Sequence, residues 1–325
     1  MAVPVVKIEA LTKKYKQATV VDNLNLQIEK GEIFGLLGPN GAGKSTTIRM
    51  MMGMTQPSAG SVQVCGHSSQ HEPIRVKRRV GYLPEDVGFY NHMTGFENLM
   101  LTARLNQIPD QQAKERVEEL LGMVGLAQEG DKKAGAYSRG MKQRLGLADV
   151  LVKKPQVIIL DEPTLGLDPR GMSELLEQIR DLSKNQGITV LFSSHHLHQV
   201  QHICDRVGLF VKGKLIASGD IESLSSQLFS ESPVEIQAGV QWRSNHETWA
   251  ENIRKLRASI QNIDGVAEVK YNDDLLTLAC VQDVSASVAK MIIDASFDLT
   301  FLRKKEYGLN DIYNKYFEGG DDDKN

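Results

Sequence analysis

Residues 38–46 read GPNGAGKST, the spacing G-x-x-x-x-G-K-S, directly after the apolar run IFGLL and before a helical pattern, TTIRMMMG. Glycines at 38, 41 and 43 let the backbone curl so that its N–H groups face one point. The helix that follows aims its positive end at the same point. Such a turn binds a polyphosphate. Its cradle is Gly38, Asn40, Gly41, Ala42, Gly43 and Thr46, with Lys44 reaching the outer phosphates and Ser45 offering a hydroxyl to Mg2+. A second run, VIILDEP at 157–163, predicts a buried strand that ends in Asp161 and Glu162. Asp161 is placed to hold Mg2+, and Glu162 to take a proton from an attacking water. An acidic pair after an apolar strand is common. Paired with a phosphate loop it implies hydrolysis of a nucleoside triphosphate.

The stretch SSHHLHQVQHIC at 193–204 holds four histidines and a cysteine. His198 and His202 have the four-residue spacing of a helical metal pair. No third ligand is evident, and Cys204 falls off that face. The reading is a polar helix face, with His195 reserved for another role. Met50–Met54 reads as helix packing behind the loop. The RVKRRV cluster at 75–80 reads as a solvated helix turn, and Trp242 and Trp249 as packing residues.

These residues need a frame. Ile33–Leu37, 157–160 and 189–192 have the unbroken apolar character of buried parallel strands. Amphipathic helices lie between them, one near 112–124, so residues 3 to about 225 form an α/β domain. Residues 5–29 look like antiparallel strands. Near Ser230 the character changes. A strand, a helix over 247–261, strands at 267–271 and 275–281, a helix at 285–295 and a strand at 298–304 give the order βαββαβ of a ferredoxin-like sandwich. A short helix at 309–317 and a disordered tail at 319–325 follow. The expected domains are 3–228 and 233–318.

The bulk properties set limits. The chain has 325 residues and a formal net charge of −3, so broad electrostatic binding to nucleic acid is not expected. Its 3 cysteines are scattered, as in a reduced compartment. No run approaches the ~20 apolar residues of a membrane helix, and the start lacks a signal-peptide core.

Three further motifs make the reading specific. SRGMKQR at 138–144 precedes the acidic strand, PTLGLDP at 163–169 follows it, and SSH at 193–195 ends the next strand. With the phosphate loop and the acidic strand, five motifs stand in the order of ATP-binding cassette proteins. Over 3 to about 225 the chain resembles the nucleotide-binding subunit of an ABC transporter. That resemblance implies a P-loop NTPase fold of the ABC-ATPase kind: a RecA-like core, an antiparallel β subdomain and a helical subdomain. It implies ATP and Mg2+ as ligands. Tyr15 would stack on adenine, and His195 would hold the γ-phosphate and the attacking water. Ser138 and the backbone at Gly140 would meet ATP bound to a second copy, and Asp168 lies in the loop that contacts that copy. The expected partners are this second copy and polytopic permease subunits, at the cytoplasmic face of the membrane.

Two positions depart from the family pattern. The signature reads YSRGM where Leu-Ser-Gly-Gly-Gln is common, so Arg139 brings a positive charge beside an anion. Glu85, in VGYLPEDVGFY, stands where many relatives carry glutamine, and is expected to reach Mg2+ and to alter metal affinity or coupling. The closing GLNDIYNKYF is similar to the last segment of ABC-2 exporter ATPases, which favours export; the cargo, whether drug, lipid, ion or copper-site maturation, stays open. The competing reading is a soluble ABC ATPase without a membrane partner. Relatives of that kind carry two cassettes or a long coiled coil, and residues 44–161 show no sustained heptads. A sensor that binds ATP without hydrolysing it is disfavoured by Glu162 and His195 together.

Overall fold

The computed structural model describes residues 3–229, 233–242, 249–272, 274–305 and 307–318. The backbone divides into two units, residues 1–224 and 225–325.

In the first unit β1 (Val6–Tyr15) and β2 (Ala18–Ile28) form a hairpin, and β3 (Ile33–Leu37) leads into α1 (Lys44–Met51). Then come β4 (Ala59–Val64), β5 (His67–Ser68), α2 (Pro73–Arg79) and β6 (Val80–Leu83). A helical stretch follows: α3 (Gly95–Leu105), α4 (Asp110–Met123) and α5 (Arg139–Leu151). The chain returns through β7 (Val157–Asp161), α6 (Pro169–Lys184), β8 (Thr189–Ser194) and α7 (Leu197–Ile203). It continues in β9 (Arg206–Val211), β10 (Lys214–Gly219) and α8 (Ile221–Phe229), the helix in which the two units divide.

Two sheets result. The larger has the order β10-β9-β3-β8-β7-β6, parallel except for the β9–β10 pair. The smaller, β2-β1-β4-β5, is antiparallel throughout. Their inner faces share one core, in which Phe34, Leu36, Ile159, Leu191 and Phe210 meet Ile8, Leu24 and Ile28. Met50, Met51 and Met52 are buried in the same core, behind the loop. All five residues of β3 and of β7 are buried, as strands covered on both faces require. A Cβ on Gly35 would lie 2.6 Å from Val200 and 2.8 Å from Cys204 Sγ, so this glycine lets α7 press directly on β3. α3 starts with a capping box, Thr94 with Glu97. The buried Asn98 then ties Tyr90 to that helix, accepting from Tyr90 N at 2.9 Å and donating to its carbonyl at 3.2 Å.

The second unit runs β11 (Val234–Trp242), α9 (Trp249–Gln261), β12 (Val266–Asn272), β13 (Leu275–Cys280), α10 (Ser285–Asp294), β14 (Phe297–Lys304) and α11 (Leu309–Glu318). Its antiparallel sheet has the order β12-β13-β11-β14, the ferredoxin-like arrangement. Alternate residues Ile236, Ala238 and Val240 of β11 are buried with Leu276 and Leu278 of β13. Ile253, Leu256 and Ile260 of α9 and Val288 and Ile292 of α10 belong to the same core, at helical spacing.

The expected helix at 247–261 begins, among the described residues, at Trp249. Residues 230–232, the tail at 319–325 and the side chains of Trp242 and Trp249 lie outside the described part. Among the described residues no helix is long and apolar enough to cross a membrane. Cys65, Cys204 and Cys280 are free thiols.

Candidate active site

The loop between β3 and α1 is shaped by close approach. A Cβ on Gly38 would stand 2.2 Å from the Phe210 carbonyl oxygen of β9. Gly41 and Gly43 have φ of 80° and 109°, the left-handed region that glycine alone adopts freely. Gly43 caps α1 without a side chain, so the first N–H groups of that helix have no side-chain acceptor. These features leave a cleft lined by residues 39–46, with Val20, Glu85, Asp161 and Glu162 around it.

Lys44 is buried at the centre of this cleft. Its ammonium donates to the carbonyls of Gly38 at 2.6 Å and Pro39 at 3.3 Å. It lies 3.8 Å from Glu162 Oε1. Burial lowers the Lys44 pKa, and the charges of Glu162, Asp161 and Glu85 oppose that shift. The loop is thus closed around its own lysine head group, with Glu162 beside it.

The carboxylates arrive by sheet register. β7 pairs with β8 so that Asp161 lies opposite Ser193, and both strand ends open at the loop's edge. Asp161 Oδ1 is buried without a hydrogen-bond partner, and Ser45 lines the same cleft. This is an oxygen-only donor set, suited to a hard divalent cation. Glu85, exposed after β6, lines it too. Tyr82 sits on β6 opposite Ile159; burial first, then the Asp161 charge, push its phenol up to about 12.

Glu162 follows with φ +50°, an unusual backbone for a residue with a Cβ, and its N–H donates to Ser193 O at 3.1 Å. His195 Nδ1 lies 3.0 Å from Glu162 Oε1. The contact has the distance of an ion pair, yet neither atom makes a directed hydrogen bond. The His195 and His196 rings lie with centroids 3.9 Å apart, and burial, then His195, lowers the His196 pKa. His198 and His202 stack along α7 with centroids 6.4 Å apart.

Other expected site residues lie apart from this cleft. Ser138 and Gly140 line a second depression with Arg139, Gly166 and Asp168, and it shares no lining residue with the first. Ser138 Oγ caps α5 by accepting from Met141 N at 3.2 Å, and Asp168 caps α6 by accepting from Gly171 N at 3.2 Å. Gly166 has φ +74°, and a Cβ there would meet the Arg139 guanidinium at 2.7 Å. Tyr15 ends β1, is 45% exposed, and has the Lys13 ammonium 4.8 Å from its ring centroid. Val20, across the hairpin, lines the phosphate cleft and Tyr15 does not. Val20 and Gln199 carry no local motif that marks them, because their neighbours are distant in the chain.

A parallel sheet whose strand ends surround a glycine-rich loop, a lysine and two carboxylates defines a nucleoside triphosphatase. The family described as ABC transporter matches residues 21–165. The linearmycin resistance ATP-binding protein LnrL of Bacillus subtilis (strain 168) is 36% identical over 70% of this chain and 73% of its own length. The uncharacterised ABC transporter ATP-binding protein YxlF of the same organism is 34% identical over 95% of this chain and 98% of its own. Among solved structures, cbiO1 from Clostridium perfringens, part of the ABC transporter complex cbiONQ, superposes with a TM-score of 0.63 at 29% identity, covering 70% of this chain and 91% of that one. The chain belongs to the ATP-binding proteins of ABC transporters, and its activity is ATP hydrolysis coupled to transport.

Proposed function

We propose that this chain works as one half of a head-to-tail dimer that closes on two ATP molecules and drives export through separate permease subunits. The observation that carries the reading is Glu162, set between Lys44 at 3.8 Å and His195 at 3.0 Å. Lys44 and the loop N–H groups hold the β- and γ-phosphates. To bind them, the lysine exchanges its own carbonyl acceptors for phosphate oxygens. Ser45, Asp161 and Glu85 hold Mg2+, which supplies charge neutralisation at the phosphates. Glu162 accepts a proton from water, and His195 holds the γ-phosphate. Tyr15, exposed at the hairpin, receives the adenine.

Ser138 and Gly140 line a depression separate from the cleft around Lys44, which supports a role toward ATP on the other copy. There the N-terminus of α5 and Arg139 add positive potential. Closure stabilised by ATP and released on hydrolysis performs work on the permease. The full-length likeness to ABC transporter ATP-binding proteins supports a station at the cytoplasmic face of the membrane, and the likeness to Nod factor export ATP-binding protein I of Ralstonia nicotianae, 37% identical over 72% of this chain, supports export.

The test is Glu162→Gln in the full chain. With ATP and Mg2+ it is expected to elute as a stable dimer with little turnover. Hydrolysis at the parental rate would remove Glu162 as the base. Isolation from gently solubilised membranes is expected to bring a stoichiometric polytopic partner; recovery only in the soluble fraction would favour the membrane-free reading.

A further inference from the structure

Gln199 lies on α7, one turn beyond His195, and is only 7% exposed. Its side-chain oxygen accepts two hydrogen bonds, from Thr164 Oγ1 at 2.6 Å and from Ser194 Oγ at 3.4 Å. Both donors are buried. Its amide nitrogen donates to Met172 Sδ at 3.0 Å on α6, so each end of the amide has a partner.

The two donors belong to the two turns that carry the chemistry. Thr164 stands in the turn leaving β7, where Leu165 N donates to Glu162 O and Leu167 N to Thr164 O, both at 3.2 Å. Ser194 ends β8, and its hydroxyl also accepts from His196 N at 3.0 Å, which shapes the turn presenting His195. The Glu162 and His195 side chains make no directed hydrogen bond with each other at their 3.0 Å separation, so their relative placement leans on the turns that carry them.

We propose that Gln199 is a positioning residue of the ATPase site, holding the turn of Glu162 and the turn of His195 at one separation through a single shared acceptor oxygen. This rests on the reading of Glu162 and His195 as the groups that act on water and γ-phosphate. It adds a route between subunits. Thr164 lies in the 163–169 loop assigned to the second copy, so seating of that copy reaches His195 through Gln199.

The experiment uses the purified full chain with Gln199→Met, Gln199→Glu, Thr164→Val and the Thr164→Val/Gln199→Met double variant. Methionine keeps the volume and removes the acceptor; glutamate keeps the acceptor. Turnover with Mg-ATP is measured with melting temperature as the check on folding. Q199M is expected to lose about tenfold in kcat with KM within about twofold, the signature of a misplaced reacting group. Q199E is expected to recover at least about half of parental kcat, and the double variant to fall no further than Q199M by more than about twofold. Parental kcat in Q199M, no recovery in Q199E, or losses that multiply in the double variant would each overturn the proposal. Should Q199M melt below the assay temperature, Thr164→Val with Ser194→Ala removes the donors instead and carries the same kinetic expectation. A parental rate in E162Q would remove the premise; an inactive E162Q beside a fully active Q199M removes this inference alone.

Discussion

Two glycines of one loop are expected to fail in opposite ways when each receives a methyl group. At Gly38 the new Cβ stands 2.2 Å from the Phe210 carbonyl oxygen and 3.1 Å from its carbon, both backbone atoms of the central sheet. Neither can rotate away, so β9 or the loop must shift. The cost is that of an overpacked core, about 3 kcal/mol. For a unit of this size each kcal/mol moves the melting temperature by about 2–4 °C, giving a fall of about 6–12 °C. At Gly41 the Cβ meets nothing within 4 Å, and the strain comes from φ +80° alone. That costs about 1–2 kcal/mol. Reduced freedom of the unfolded chain returns about 0.4–1 kcal/mol, so melting falls by no more than about 6 °C. The Gly41 methyl, however, stands in the cleft where phosphate is expected. Gly41→Ala should therefore fold and lose at least about tenfold in affinity for a fluorescent ATP analogue, a deficit of about 1.4 kcal/mol. Thermal melting with and without ATP, beside a binding titration, reads both effects. A Gly38→Ala protein that melts with the parent, or a Gly41→Ala protein that melts below Gly38→Ala, would refute the reasoning.

Other outcomes follow from single side chains. Asp149 on α5 is half-buried with Oδ1 unpartnered, and burial raises its pKa against the pull of Thr102 and Lys153. A raised carboxyl pKa stabilises the fold below the unfolded value near 3.9, and that contribution is lost as pH rises through the folded value. Asp149→Asn should therefore raise the melting temperature at pH 7, with the gain shrinking toward pH 4; a gain independent of pH would refute the assignment. Ser138→Ala removes the acceptor for Met141 N–H and should cost about 1 kcal/mol, or about 2–4 °C. It should also cut turnover by more than about tenfold while the monomer's affinity for ATP stays parental; equal loss of binding would place Ser138 in its own chain's site.

The chemistry-bearing turns were legible because their determinants are local. The glycine-rich loop, the acidic strand end and the turn of His195 each depend on a few consecutive residues, and register of neighbouring strands then brings them together. The ferredoxin-like order of the second unit followed from alternation in β11 and β13, with strand ends displaced by a residue or two, as for β12, which runs Val266–Asn272. What stayed hidden depends on distant partners. Val20 lines the cleft from a hairpin whose register shifts between Ile8 and Leu11 and twice more before Tyr15. Gln199 looked like one more polar residue on a histidine-rich helix. Its buried side chain accepts from Thr164, 35 residues away in the chain.

Glu162 holds φ +50°, so this position selects its occupant through the main chain as well as through the carboxyl group. Asparagine, aspartate and glycine enter that conformation readily, whereas valine, isoleucine and threonine are opposed by their branched Cβ. Mutational drift here is therefore channelled. Replacements that keep the turn, and with it the neighbouring Asp161 and Thr164, tend to be polar or minimal. With asparagine or glycine there, the subunit would keep the turn and lose the carboxylate proposed to take a proton from water. Descent from this scaffold thus has an easy path to a non-hydrolysing partner that retains its shape, and a much steeper one to a chain that loses both at once.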